Sequence, residues 1–242
     1  NRPRGRFWMN RISSTVAKVS APWPAISIQL KPAGARMSIR NGVKIGTQDA
    51  ASMIGALGLS IAGVISGKMY MVGDGSTSTL AYDVQNRQWL SDKAARPYIG
   101  HHHAAEVVNG KLFLIGGING GSEGRVQIYD PVTNSWTTGA SMSWSGGSVS
   151  TAVIGGKIYA AGGIVTGGFT VTNCAVYDPV ADTWTAKTAM PDMGRNHAAA
   201  GTDGSKLYVF GGRRGGNFVA NGYDSVMIYD PVANTWTWNG AP

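Results

Sequence analysis

Charge is scarce in this chain of 242 residues, of which 14% are Asp, Glu, Lys or Arg, and cysteine is scarcer still. The single Cys174 excludes an internal disulfide framework, so the fold must hold by packing and hydrogen bonds. No window contains the roughly 18 uninterrupted apolar residues that a membrane-spanning helix needs. Residues 54–67, IGALGLSIAGVISG, are apolar enough for a signal core but lie far from the first residue. They occupy the place that SWSGGSVSTAVIGG fills further on, so a strand is the expectation there. Nucleotide signatures are also missing: there is no G-x-G-x-x-G and no phosphate-cradling P-loop.

The formal charge of +8 suggests nucleic acid until it is divided along the chain. Nine of the 21 basic residues but only one of the 13 acids, Asp49, lie in residues 1–50, which leaves twelve of each for residues 51–242. A basic stripe on the folded body therefore has no support in the charge count, and no nucleic-acid partner is expected. The basic leader 1–50 contains one local signal, MSIRNGVKIG at 37–46, where alternation about Asn-Gly predicts a hairpin.

What the chain has in quantity is glycine, 35 residues, and a repeat. KLFLIGG with IYDPVTNSW (111–136) returns as KIYAAGG with VYDPVADTW (157–184) and KLYVFGG with IYDPVANTW (206–236). A degenerate earlier copy is KMYMVGD with AYDVQNRQW (68–89). Tyr82, Tyr129, Tyr177 and Tyr229 each stand seven residues before a Trp, at 89, 136, 184 and 236. The Lys opening each second strand stands five before a Gly, and only the interval from that Gly to the Tyr is elastic. Fixed strands with one variable loop predict four short strands per unit, in the second unit HAAEVVNG, KLFLIGG, RVQIYD and SWTTG. Asp-Pro-Val-Thr-Asn is turn chemistry, the paired Gly lets the backbone leave its strand at unusual φ, and Tyr and Trp supply apolar bulk between sheets. A four-stranded unit repeated at about this period predicts an all-β radial propeller.

The double Gly (116–117, 162–163, 211–212), the Tyr-Asp-Pro and the Trp seven residues after the Tyr resemble the kelch repeat over about residues 51–242. The resemblance implies a kelch-type β-propeller with four recognisable blades, at about 51–92, 93–140, 141–188 and 189–242. Because the chain opens on Asn, ends at WTWNGAP and holds fewer blades than kelch proteins usually do, the expectation is a partial or truncated ring, with further blades or domains outside it. The first copy departs from the pattern, with Asp74 for the second Gly and no Pro after Asp83.

By that resemblance, one face carries the loops after the double Gly, namely 74–79, 118–124, 164–172 and 213–223, together with 96–103, 143–147 and 195–197 before the innermost strands. Candidate ligand-binding residues on these loops are Arg96, His103, Asn119, Trp144, Arg195, Arg213, Arg214, Asn217 and Tyr223. The arginine fork suits carboxylates or phosphates and the aromatics suit a sugar ring or apolar anchor. The competing reading of Arg96 and Arg195 is a structural bond to a neighbouring blade's carbonyls, and that of Arg213 and Arg214 is simple solvation. In His101-His102-His103 strand alternation would let only His101 and His103 share an ion, and His103 aligns with His197, which favours structure over metal. Glu106 is a weak candidate general acid or base, against a satisfied structural carboxylate.

The expected function is a binding scaffold, without a cofactor, for a protein segment or a glycan. The repeats are also similar to those of the sialic acid mutarotases (N-acetylneuraminate epimerase) and of the galactose oxidase propeller. The first implies Glu106 acting with Arg96 and Arg195, and the second implies a copper site and further domains. A third class is a structural repeat domain of a larger surface protein. Low charge with abundant Gly, Ser and Thr leans toward an extracellular or periplasmic location.

Overall fold

The computed structural model describes residues 60–191, 194–215 and 222–239. Residues 1–50, with the expected hairpin 37–46, lie outside them, as does Asn217. The described residues form strands and turns with no helix. Four four-stranded antiparallel sheets follow one another along the chain. Blade 1 holds β1 (Ser60–Ile65), β2 (Lys68–Gly73), β3 (Thr79–Asp83) and β4 (Gln88–Leu90), and blade 2 holds β5 (Ala104–Val108), β6 (Lys111–Ile115), β7 (Val126–Asp130) and β8 (Ser135–Gly139). Blade 3 holds β9 (Ser150–Ile154), β10 (Lys157–Ala161), β13 (Cys174–Asp178) and β14 (Thr183–Lys187). Between β10 and β13 it carries a short hairpin, β11 (Ile164–Val165) with β12 (Phe169–Thr170). Blade 4 holds β15 (Ala199–Thr202), β16 (Leu207–Phe210), β17 (Val226–Asp230) and β18 (Thr235–Asn239).

The innermost strands pack in chain order, β1 on β5, β5 on β9 and β9 on β15. Among the described residues no packing of that extent joins β15 to β1, so the blades form an open arc. The motif residues account for both levels of this order. Within each blade the Tyr of the third strand faces the Trp of the fourth, with ring centroids 5.0–5.1 Å apart in all four copies. Between blades, Tyr70 meets Tyr129, Phe113 meets Tyr177 and Tyr159 meets Tyr229. Tyr129, Tyr177 and Tyr229 are 0–1% exposed, which ties their burial, about 2–3 kcal/mol each, to the presence of the preceding blade.

The same tyrosines anchor a polar clasp at the blade rim. Tyr129 Oη donates to Asn134 Oδ1, which also accepts the Ala94 N–H at 2.9 Å, while Trp136 Nε1 donates to Ala94 O at 3.0 Å. Blade 3 repeats this with Tyr177, Asp182, Trp184 and Ala140, and blade 4 with Tyr229, Asn234, Trp236 and Thr188. Ala94, Ala140 and Thr188 are the segments that leave the preceding blade, so each clasp holds its predecessor's exit. The clasping residue sits at φ 50–53°, a conformation Asn and Asp tolerate. In blade 1 the position is Arg87, at φ 56°, which has no acceptor to offer.

Gly116 and Gly162 show why the double glycine recurs. Both have φ near 67°, and a Cβ added there would lie 2.2 Å from Gly146 O and 2.3 Å from Arg195 O respectively. The close neighbour is the next blade's backbone rather than a packed side chain. The exchange is completed by Gly117 N–H to Gly146 O and Gly163 N–H to Arg195 O.

Candidate functional site

The loops expected to share a face do meet there. Gly75 N–H donates to Gly100 O, Arg96 N–H to Thr77 O, Gly146 N–H to Glu123 O and Asn196 N–H to Arg213 O. Each elastic loop is thus sewn to the segment that leads into an innermost strand, its own blade's or the next.

This sewing takes up several of the candidate side chains. Arg96 is 1% exposed; its Nε donates to Ser76 O, its Nη2 to Gly73 O and Gly100 O, and its Nη1 lies 3.3 Å from His103 Nε2. By repeat position it replaces Met142 and Met190, whose N–H groups make the equivalent loop bond. Arg195, buried, reaches Gly211 O and Ser225 O and covers the Tyr223 ring at 4.4 Å. Arg213, also buried, donates to Asn196 Oδ1 and lies 3.2 Å from His197 Nε2. Trp144 is 9% exposed and donates to Gly162 O. Asn119 and Arg214 are exposed.

Two features of the histidine run differ from expectation. The bridges His101↔Ile118 and Asn196↔Arg213 set the register, so His102, not His103, is the counterpart of His197. Both occupy left-handed backbone, at φ 59° and 52°. That kink falls before β5 starts, so strand alternation does not apply: His101 Nδ1 faces His102 Nδ1, while His103 turns inward to Arg96. Among the described residues no three His, Cys, Asp or Glu side chains converge in a way that could hold a metal ion. Burial, with Arg96 beside it, holds His103 down to about 3, and burial with Arg213 and His102 holds His197 down to about 4. Each imidazole stays neutral and offers its ring nitrogen to a buried guanidinium. Burial pushes the Asp74 carboxyl up to about 6 against the pull of His101 and Arg96.

Glu106 is buried on β5, and its Oε1 accepts from Thr151 Oγ1 of β9 at 2.7 Å, across the joint between blades 2 and 3. Cys174 is buried and its thiol is pushed up to about 12, so it packs as a small hydrophobe.

Between blades 3 and 4 the loop face opens into a cleft of about 500 Å³, lined by residues 169–173 with Arg214 and Gly215. Phe169, at the start of β12, is 70% exposed. The hairpin is held from the other side by blade 2, where Ser122 N–H donates to Thr166 Oγ1 at 2.8 Å and Thr166 N–H to Ser122 Oγ at 3.0 Å. The hairpin was not legible in IVTGGFTVT, whose two-residue strands are too short for a periodicity. The Gly-Gly at 167–168 between Thr166 and Phe169 is the one signal that would have found it.

The comparisons with known proteins agree with this geometry. Residues 62–239 match the family described as the KLHDC2/KLHL20/DRC7 Kelch-repeats domain. Kelch-like protein terF of Aspergillus terreus is 28% identical over 212 residues, 81% of this chain and 45% of that protein. Alpha-scruin of Limulus polyphemus is 28% identical over 168 residues, 66% of this chain and 18% of that protein. Human Kelch-like protein 15 is 28% identical over 184 residues, 66% of this chain and 29% of that protein. The chain spans less than half the length of these relatives. Among solved structures, one described as "Structure of YjhT" superposes with a TM-score of 0.65 at 20% identity, over 75% of this chain and 65% of that one, which is a likeness of fold. With its four sheets, its repeated Tyr–Trp pairs and a family match over most of its length, the chain belongs to the kelch-repeat family.

Proposed function

We propose that this kelch-repeat protein is a binding scaffold whose loop face takes an extended protein segment in the cleft between blades 3 and 4. The supporting observation is the lining of that cleft: an aromatic ring, Phe169, left 70% exposed on a hairpin held by blade 2, together with the exposed Arg214. A large exposed aromatic next to a cation costs solubility unless it is used, and together they suit an apolar side chain beside a carboxylate. Arg195 and Arg213 then act behind the site, fixing the loop that Arg214 extends from. The carbohydrate-active reading needs Glu106 to act with Arg96 and Arg195, and these three side chains are engaged with Thr151, with the carbonyls of the loops around Gly73 and with Ser225 respectively.

Peptides selected from a displayed random library on the full chain, then measured by fluorescence anisotropy, test the reading. Arg214→Glu is expected to weaken the selected acidic peptides by about tenfold or more, and Phe169→Ser by a similar factor. Peptide affinities indifferent to both substitutions overturn it, as does a glycan array in which the Phe169-dependent binders are all sugars.

A further inference from the structure

Each blade turns one sheet face toward its successor, and the register identifies that face in blade 4: Ala199↔Phe210↔Val226↔Asn239 and Gly201↔Tyr208↔Ile228↔Thr237. Tyr208 is the repeat counterpart of Tyr70, Phe113 and Tyr159, the rings that meet the tyrosine of the next blade. Phe210 is the counterpart of Val72, Ile115 and Ala161, which are 0–1% exposed, yet it is 46% exposed itself. Val226 stands where Val126 and Cys174 are buried, and is only half-buried. Among the described residues, the same face of each earlier blade joins a hydrophobic core with the blade that follows, and that of blade 4 joins none.

This open face is an ordered apolar surface. Tyr208 and Phe210 stack with ring centroids 6.3 Å apart and planes 17° from parallel, and Tyr208 Oη donates to Asp203 Oδ2 at 2.8 Å. None of the eight positions on the face carries a charge, and Lys206 and Asp230 at the strand ends pair with each other. A charged peptide or a nucleic acid would find no partner there, whereas an apolar, uncharged surface would. The opposite end of the arc is closed. On the outward face of blade 1 the cross-strand partners Met69 and Tyr82 are 5% and 4% exposed.

We propose that the outward face of blade 4 is a dimer interface, covered by the same face of a second copy of this chain about a two-fold axis. With one end of the arc open and the other closed, two copies meet through like faces, and the contact is complete at two. Tyr208 and Phe210 of one copy then supply to the other the aromatic bulk that the next blade's tyrosine supplies at the joints within the arc. Strand rise and spacing make the face about 15 Å by about 19 Å, so two of them bury on the order of 1,000 Å² in all, the low edge of specific interfaces. The dimer is therefore weak and exchanging, with a dissociation constant of about 1–100 μM.

Sedimentation velocity of the full chain across about 1–300 μM tests this, and a reversible monomer–dimer equilibrium is expected. Phe210→Ser removes an exposed ring, so it should leave the thermal midpoint unchanged while raising the dissociation constant about tenfold or more. Ala199→Lys, also at an exposed position, places an unpaired cation in the interface and should abolish the dimer without unfolding the monomer. In NMR spectra of the wild-type chain the amides of Tyr208, Phe210, Val226 and Ile228 should shift with concentration while those of Met69 and Tyr82 stay still. A chain that remains monomeric over the whole range overturns the proposal. So does a dimer indifferent to both substitutions, or assembly that grows past two copies.

Discussion

Blade 1 and blades 2–4 share four strands, a Tyr–Trp pair and a Lys–Asp cross-strand pair, yet blade 1 has lost nearly everything that is not strand. Asp74 stands where the later blades have a second glycine, Val84 where they have proline, and Arg87 where they have the clasping Asn or Asp. Its sheet persists nonetheless, with β2 and β3 paired from Lys68↔Asp83 to Val72↔Thr79. The sheet therefore comes from alternation and cross-strand aromatics, while the paired glycines and the clasping Asn or Asp serve a separate purpose, joining one blade to the next. That division can be broken or sharpened by substitution.

The largest effect is expected at the blade joint. Gly116→Ala puts a Cβ 2.2 Å from the Gly146 carbonyl at a positive φ, so it should cost about 3 kcal/mol or fail to fold. Asp74→Gly in blade 1, by contrast, removes only the acceptor of the His102 backbone N–H and should cost about 1 kcal/mol or less in urea unfolding. Equal effects at the two sites would dissolve the distinction between blades. Next comes the rim clasp: Asp182→Ala orphans the Tyr177 hydroxyl and the Ala140 N–H and should cost about 2–3 kcal/mol. Arg87→Ala, at the equivalent place in blade 1, should be nearly silent in the same denaturation series.

A smaller effect is carried by pH. His103 and His197 have folded pKa values near 3 and 4, below their ordinary 6.5, so the unfolded chain binds their protons first as pH falls. Stability should therefore decline from about pH 6.5 to about pH 3. Asp74, raised to about 6, opposes this below pH 6, but one group is set against two. Thermal midpoints measured at intervals through this range should fall on acidification, and His103→Gln should make the slope shallower; a midpoint that rises on acidification contradicts the assignment. The smallest effect is at Lys157, whose exposed pair with Asp178 at 2.8 Å is open to screening. Lys157→Ala should shift the thermal midpoint no more than raising the salt does.

Much of the scaffold was legible because it is periodic. The constant Tyr-to-Trp interval locates β7 and β8 and their counterparts to the residue, since both ring partners must face each other across one register pair, as Tyr129↔Trp136 does. The site was legible as a set of loops but not as a set of free side chains. Nothing local to Arg96 or Arg195 distinguishes a guanidinium aimed at solvent from one aimed at Gly73 O or Ser225 O, because those carbonyls come from chain 23 and 30 residues away. The His102–His197 contact joins blades 2 and 4 and depends on a small residue, Ser148, between them, which no repeat alignment singles out.

Pulled from its ends, this molecule should behave as a chain of latches rather than as one body. Each rim clasp belongs to one blade but grips the exit segment of the blade before it, so peeling away blade 4 removes the fastening at Thr188 and leaves blade 3 held by its own clasp on Ala140 and its other contacts with blade 2. Force applied from the last strand would release the latches in reverse chain order, with similar rips for blades 4, 3 and 2. The pattern would end at blade 1, where Arg87 stands in the place of the latch.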